Sequence, residues 1–134
     1  ALWGLSFKPN TDDMRESPSL VLIRSLLDAG CRVQAYDPVA SKEALRVLQA
    51  EHGAERCASQ IVIADSAKDA VQGADALVLV TEWKEFRAPD FNELAATLRR
   101  KVLFDGRNIY DPATVAAAGL RYEGIGRTAN RAAA

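Results

Sequence analysis

Phe7-Lys8-Pro9-Asn10-Thr11-Asp12-Asp13-Met14-Arg15-Glu16-Ser17-Pro18 decides how this chain is read. An apolar run from Ala1 to Leu5 precedes it and has the character of a strand. A helical segment follows, with Ser17 placed to cap it and Pro18 in the first turn, where a missing N–H costs nothing. The stretch is therefore a strand-to-helix loop of an α/β fold, the position at which such folds bind ligands. A phosphate-binding loop there is normally rich in glycine, so that bare backbone can approach the anion. This loop carries a lysine, an arginine and several acids instead. A ligand held here is held by side chains.

Strand and helix signals alternate outward from that loop. Leu20, Ile23 and Leu27, with Leu22 and Leu26, give a helix its apolar face, and Gly30 closes it. Cys31 to Tyr36 reads as a second strand, ended by Asp37-Pro38. Ser41 is expected to cap a second helix that ends near Gly53. Short apolar strands follow at Ile61 to Ala64, Ala76 to Val80, Val102 to Phe104 and Leu120 to Gly124. Helices are expected between them: Ala67 to Gln72, one opened by an Asp90/Glu93 capping box, and one from Pro112 to Gly119. Unalternating apolar strands separated by helices imply a parallel sheet covered on both faces. The expectation is a Rossmann-like, doubly wound α/β fold of about six strands in the order 3-2-1-4-5-6. One domain spans residues 1–126, and 127–134 form a flexible tail.

Composition narrows the function. The 134 residues are 49% hydrophobic and 26% charged, enough for one full core. A net charge of −1 argues against nucleic-acid binding, and no apolar run approaches the roughly 20 residues of a membrane span. The two cysteines, Cys31 and Cys57, have neither metal-ligand nor disulfide-framework spacing, so a reducing, cytoplasmic setting is expected. The acid pairs show no metal loop, and no metal is expected. The start in mid-strand, without methionine, is how a fragment begins.

In the expected sheet, strands one, four and five are neighbours, and ligands sit over their carboxyl ends. The loops leaving those ends hold Phe7-Lys8, Thr81-Glu82-Trp83 and Asp105-Gly106-Arg107-Asn108. Lys8 and Arg107 should then share one crevice, a pair of cations suited to a diphosphate. Each has a plainer alternative: a solvated loop lysine for Lys8, and a salt bridge to Asp105 or Asp111 for Arg107. The strict G-x-G-x-x-G fingerprint is absent after the first strand. Asp37, placed like a ribose-binding acid, is expected to act as a turn-former ahead of Pro38. Trp3 should be core, Trp83 packing before base stacking, and His52 a surface residue.

The motifs Gly4-Leu5-Ser6-Phe7-Lys8-Pro9, Thr11 to Pro18, Tyr36-Asp37-Pro38, Thr81-Glu82-Trp83 and Phe104-Asp105-Gly106-Arg107-Asn108 together carry a family likeness. The chain resembles the C-terminal, UDP-binding domain of the UDP-glucose/GDP-mannose dehydrogenase family, from Ala1 to about Arg127. Thr81-Glu82-Trp83 inclines the resemblance to the UDP-glucose 6-dehydrogenase branch. Dehydrogenases for UDP-N-acetylhexosamine or GDP-mannose, and a non-catalytic nucleotide-binding module, stand as alternatives. The resemblance implies that the whole enzyme oxidises the sugar C6 alcohol to a carboxylate with two NAD⁺, the cofactor being held mainly by an N-terminal domain. A central helical region would form a homo-oligomer. Phe7, Lys8 and Arg107 would contact the UDP-sugar, and Arg15 would reach across to NAD; a local ion-pair network with Asp12, Asp13 and Glu16 is its alternative. The family's nucleophilic cysteine belongs to a glycine-rich motif missing here, so this chain alone is expected to be catalytically inactive.

Overall fold

A computed structural model describes residues 1–126; the expected tail at 127–134 lies outside the described residues. Six strands, β1 (Leu2–Trp3), β2 (Val33–Tyr36), β3 (Ile61–Ile63), β4 (Ala76–Leu79), β5 (Val102–Asp105) and β6 (Arg121–Gly124), form one sheet in the order β3-β2-β1-β4-β5-β6. Every pairing is parallel. The order reverses between β1 and β4, which makes their carboxyl ends the switch point of a doubly wound fold.

Among the described residues, six α-helices connect the strands: α1 (Pro18–Asp28), α2 (Ser41–His52), α3 (Ala54–Gln60), α4 (Ala67–Val71), α5 (Phe91–Thr97) and α6 (Pro112–Ala117). Strand alternation divides the interior into two cores. Leu2, Val33, Ala35 and Ile61 meet Ile23 and Leu27 of α1, Ala44 and Leu48 of α2 and Cys57 of α3. Trp3, Leu77, Leu79, Leu103 and Tyr122 point the other way, onto α4, α5 and α6. Trp3 is core, stacked on Phe86 with ring centroids 5.0 Å apart. No helix among the described residues is long and apolar enough to cross a membrane.

Several local expectations are corrected. β1 has two residues because Gly4 turns the backbone to φ 94°. A Cβ on Gly4 would stand 2.5 Å from the Thr81 backbone nitrogen, so the chain must be bare there. Ser41 is the first residue of α2 and not its cap; Ala40 takes the cap position, and the Ser41 hydroxyl donates to the Asp37 carbonyl at 2.9 Å. Gly53, at φ 87°, separates α2 from α3, a helix that the apolar periodicity did not announce. Asp90 accepts from the backbone of Asn92 and Glu93, as a cap should, while the Glu93 carboxylate lies 3.2 Å from Lys68. His52 is not a surface residue. Its side chain is 7% exposed, with Nε2 3.6 Å from the Glu51 carboxylate.

Candidate functional site

The loops after β1, β4 and β5 leave the same end of the sheet, and the structure ties them in sequence. The Thr81 hydroxyl, beyond β4, donates to the Ser6 carbonyl at 2.6 Å. Glu82, the next residue, accepts from Arg107 Nε of the loop after β5. The first loop and the Arg107 loop are therefore both fastened to Thr81-Glu82. Neither alternative partner takes the Arg107 side chain: Asp105 receives its backbone N–H at 3.1 Å, and the guanidinium goes to Glu82. Arg107 remains 41% exposed while Glu82 is largely covered, so the cation sits on the solvent side of the pair.

The first loop rises from a rigid root. Phe7 donates to the Asp13 carbonyl at 2.7 Å and closes the loop on itself. Phe7 and Lys8 lie exposed beyond that closure. Phe7 is 47% exposed, one of several apolar side chains that face solvent. Asn10 and Glu16 adopt positive φ of 65° and 55°, which bends the loop back towards α1. Ser17 has the expected cap role, accepting from Ser19 N.

Arg15 makes an ion pair of its own, distinct from that of Arg107. It makes a two-pronged contact with Asp13, at 3.0 and 2.9 Å, with the arginine side chain 89% exposed. The local ion pair weighed from the sequence is thus present, with Asp13 as its acid. The Arg15 hydrogen bonds, assisted by the charge of Lys8, hold the Asp13 carboxyl down at about 2. Arg15 lines an open groove between the first loop and α2, with Asp12, Glu16, Glu43 and Arg46, and neither Lys8 nor Arg107 lines it.

Two buried acids organise the ends of the strands. Asp37, expected as a turn-former, does bind Val39 N and Ala40 N through Oδ1, at 2.9 and 2.7 Å. Its Oδ2 also accepts from Leu5 N, Ser6 N and Trp83 Nε1, at 2.8, 3.0 and 3.1 Å. Trp83 is accordingly a packed residue, 7% exposed. Asp105 accepts from Tyr110 N at 2.9 Å and from the Tyr122 hydroxyl at 3.0 Å as well as from Arg107 N. Sequence reasoning placed Asp105 in a motif without assigning it this role. Two acids at apolar strand ends were the available signal, because a buried carboxylate must collect donors.

Neither cysteine sits in an activating setting. Burial pushes the Cys57 thiol up, against a smaller opposing pull from Arg56, and Cys31 is exposed beyond the end of α1. No group of three or more His, Cys, Asp or Glu able to hold a metal occurs among the described residues.

Comparison with known proteins bears on this geometry. The UDP-glucose/GDP-mannose dehydrogenase family, UDP binding domain, matches residues 1–112. A UDP-glucose 6-dehydrogenase of Pseudomonas aeruginosa is 52% identical over 127 residues, which are 95% of this chain and 27% of that protein. Among solved structures, a UDP-glucose dehydrogenase from Pyrobaculum islandicum superposes with a TM-score of 0.71 at 29% identity, covering 95% of this chain and 25% of that one. A UDP-D-ManNAc dehydrogenase from Pyrococcus horikoshii gives 0.69 at 30% identity, covering 94% and 25%. The chain thus spans about a quarter of the length of the relatives it matches. With the sheet order, the loop motifs and the match over residues 1–112 in agreement, the chain belongs to the UDP-glucose/GDP-mannose dehydrogenase family, as its UDP-binding domain.

Proposed function

We propose that the chain holds the nucleotide end of UDP-glucose for an NAD-dependent UDP-glucose 6-dehydrogenase. Lys8 and Arg107 meet the diphosphate, and Phe7 packs on the ligand. The observation that carries this reading is the fastening of both cationic loops to Thr81-Glu82 at the switch point. Arginine brings a planar fork and lysine a point charge, a combination suited to two adjacent phosphates. The Glu82 carboxylate orients the guanidinium, and a phosphate bound there adds to that contact. An exposed Phe7 ring gains from being covered by a base or sugar face.

Chemistry on the sugar is supplied elsewhere in the whole protein. Fixing the nucleotide uses binding energy remote from C6 to orient the reacting end. NAD does not fit a first-loop cradle in this chain. The glycine turn is missing, and Asp37, where a ribose acid would stand, is buried and filled with protein donors. NAD is assigned to another domain of the parent, with Arg15 reaching towards it from the rim. The domain occupies residues 1–126, and the parent is a cytoplasmic homo-oligomer. The names of the relatives support the UDP-glucose assignment over UDP-N-acetylhexosamine and GDP-mannose.

Calorimetric titration of the 134-residue chain with UDP tests this. Arg107→Ala is expected to weaken UDP at least about tenfold, since a hydrogen bond to a charged group is worth about 1.5–3 kcal/mol. Equal affinity in the variant removes Arg107 from the site. Absence of binding to the unaltered chain removes the site itself.

A further inference from the structure

Asp37 directly follows β2, where dinucleotide-binding folds present an acid to the ribose. Here that acid has turned inward. It is 2% exposed, and both its oxygens are engaged by N–H groups of the protein. No part of it faces a crevice, yet it touches the roots of two of the three loops that form one.

We propose that Asp37 is a positioning residue for the nucleotide crevice: its carboxylate locks the root of the Phe7-Lys8 loop to Trp83, beside the Glu82 that holds Arg107, so that both cations are presented in one geometry. This rests on reading the crevice as the UDP site. Oδ1 is bolted to the backbone ahead of α2, through Val39 N and Ala40 N. The carboxylate therefore cannot follow a moving loop; the loop must come to it. Oδ2 then fixes Leu5 N and Ser6 N, only two residues before Lys8.

The rest of that root is held as tightly. The Leu5 carbonyl accepts from the Ser17 and Ser19 hydroxyls, each at 2.6 Å, and the Ser6 carbonyl accepts from Thr81. The Ser6 hydroxyl lies within reach of both the Lys8 carbonyl, at 2.9 Å, and Asp37. On the far side, the indole N–H of Trp83 reaches the same Oδ2, while Trp83 N donates to the Thr81 carbonyl at 2.9 Å. Glu82 is enclosed between these two residues and has little freedom of its own. One buried oxygen thereby connects the backbone leading to Lys8 with the backbone presenting Arg107's partner.

Trp83→Phe tests positioning against plain structural support, because it keeps an aromatic ring in the core while removing the donor to Asp37 together with part of the indole's volume. Two readouts apply to the 134-residue chain: ¹H–¹⁵N NMR without ligand, and calorimetric UDP titration beside a thermal melt. The expected result is shifted resonances at Leu5 to Lys8 and at the Arg107 side chain, with UDP weakened roughly threefold to tenfold and the fold retained. Asp37→Asn, which turns an acceptor into a donor, is expected to do the same more strongly. Should it not fold, Trp83→Phe carries the test.

Shifts confined to residues packed on the Trp83 ring overturn the proposal. So does an unchanged UDP affinity in a variant whose melting point alone has fallen. Failure of the unaltered chain to bind UDP strikes the site assignment instead, and the ligand-free spectra still decide whether Asp37 joins the two loops.

Discussion

Asp37 and Asp105 occupy equivalent places on opposite halves of the sheet, and they do different work. Asp37 directly follows a parallel strand and Asp105 ends one, and each is almost fully buried, at 2% and 1% exposure. Asp105 serves neighbours within its own half: Arg107 and Tyr110 just after it, and Tyr122 on adjacent β6. Asp37 reaches across the order reversal, from β2 to the root of the first loop and on to the residues after β4. A hub inside one half shapes a loop, whereas a hub across the switch point sets two loops against each other. The lesson is that position in the sheet order, more than burial or residue type, decides which acid joins loops on both sides of the order reversal.

Truncating both acids tests the comparison most severely. Asp37→Ala removes the acceptor of five N–H donors, four of them in buried bonds, and is expected to cost about 3–5 kcal/mol, with Asp105→Ala nearer about 2–3 kcal/mol. Urea denaturation of the two variants measures both. Equal losses would erase the distinction drawn here.

The glycines beside the two acids sharpen it. A Cβ on Gly4 would meet Thr81 backbone and side chain at 2.5 Å, in a backbone that already has φ 94°; one on Gly106 would meet only the Leu79 carbonyl, at 2.6 Å. Both alanine variants are expected to be destabilised, Gly4→Ala by the greater amount, about 3 kcal/mol against about 1–2 kcal/mol. The order of their melting temperatures checks this. A Gly106→Ala chain that melts below Gly4→Ala would place the tighter approach at the β4–β5 side.

The smallest effect extends the comparison to a half-buried acid of the first loop. Asp13 is held at about 2 chiefly by its hydrogen bonds from Arg15. A carboxyl with a depressed folded value contributes stability above its unfolded value near 3.8, and that contribution is lost as pH falls through about 2. The 89% exposure of the Arg15 side chain keeps it small. In Arg15→Ala the Asp13 carboxyl is expected to titrate back towards 3.8, followed by NMR of its side-chain carbonyl. Titration unchanged from the parent chain would show that the hydrogen bonds are not what depress it.

Much of this architecture is legible in the residues. Apolar strands such as Ala76 to Val80, broken by glycine and capped helices, announce a covered parallel sheet; the alternation fits the order 3-2-1-4-5-6, which the sheet has. Elements with weak periodicity escaped: α3, at Ala54–Gln60, has too few apolar positions to declare a face. The burial of the His52 side chain is not legible either, because one polar residue at a helix end carries no periodic signal. In the site, the meeting of the loops after β1, β4 and β5 could be expected from strand order, but the partners of their charges could not.

What the chain's own sequence determined is therefore the fold, the family and the end of the sheet where the motif-bearing loops gather. These depend on patterns that local chemistry imposes: hydrophobic runs, caps and glycine turns. Tertiary structure alone decided that Arg107 pairs with Glu82 and neither Asp105 nor Asp111, and that Asp37 faces inward to join two loops. Such pairings link residues 25 and 46 positions apart. A charged side chain takes whichever partner packing brings within reach, and strand order, not proximity along the chain, settles that choice.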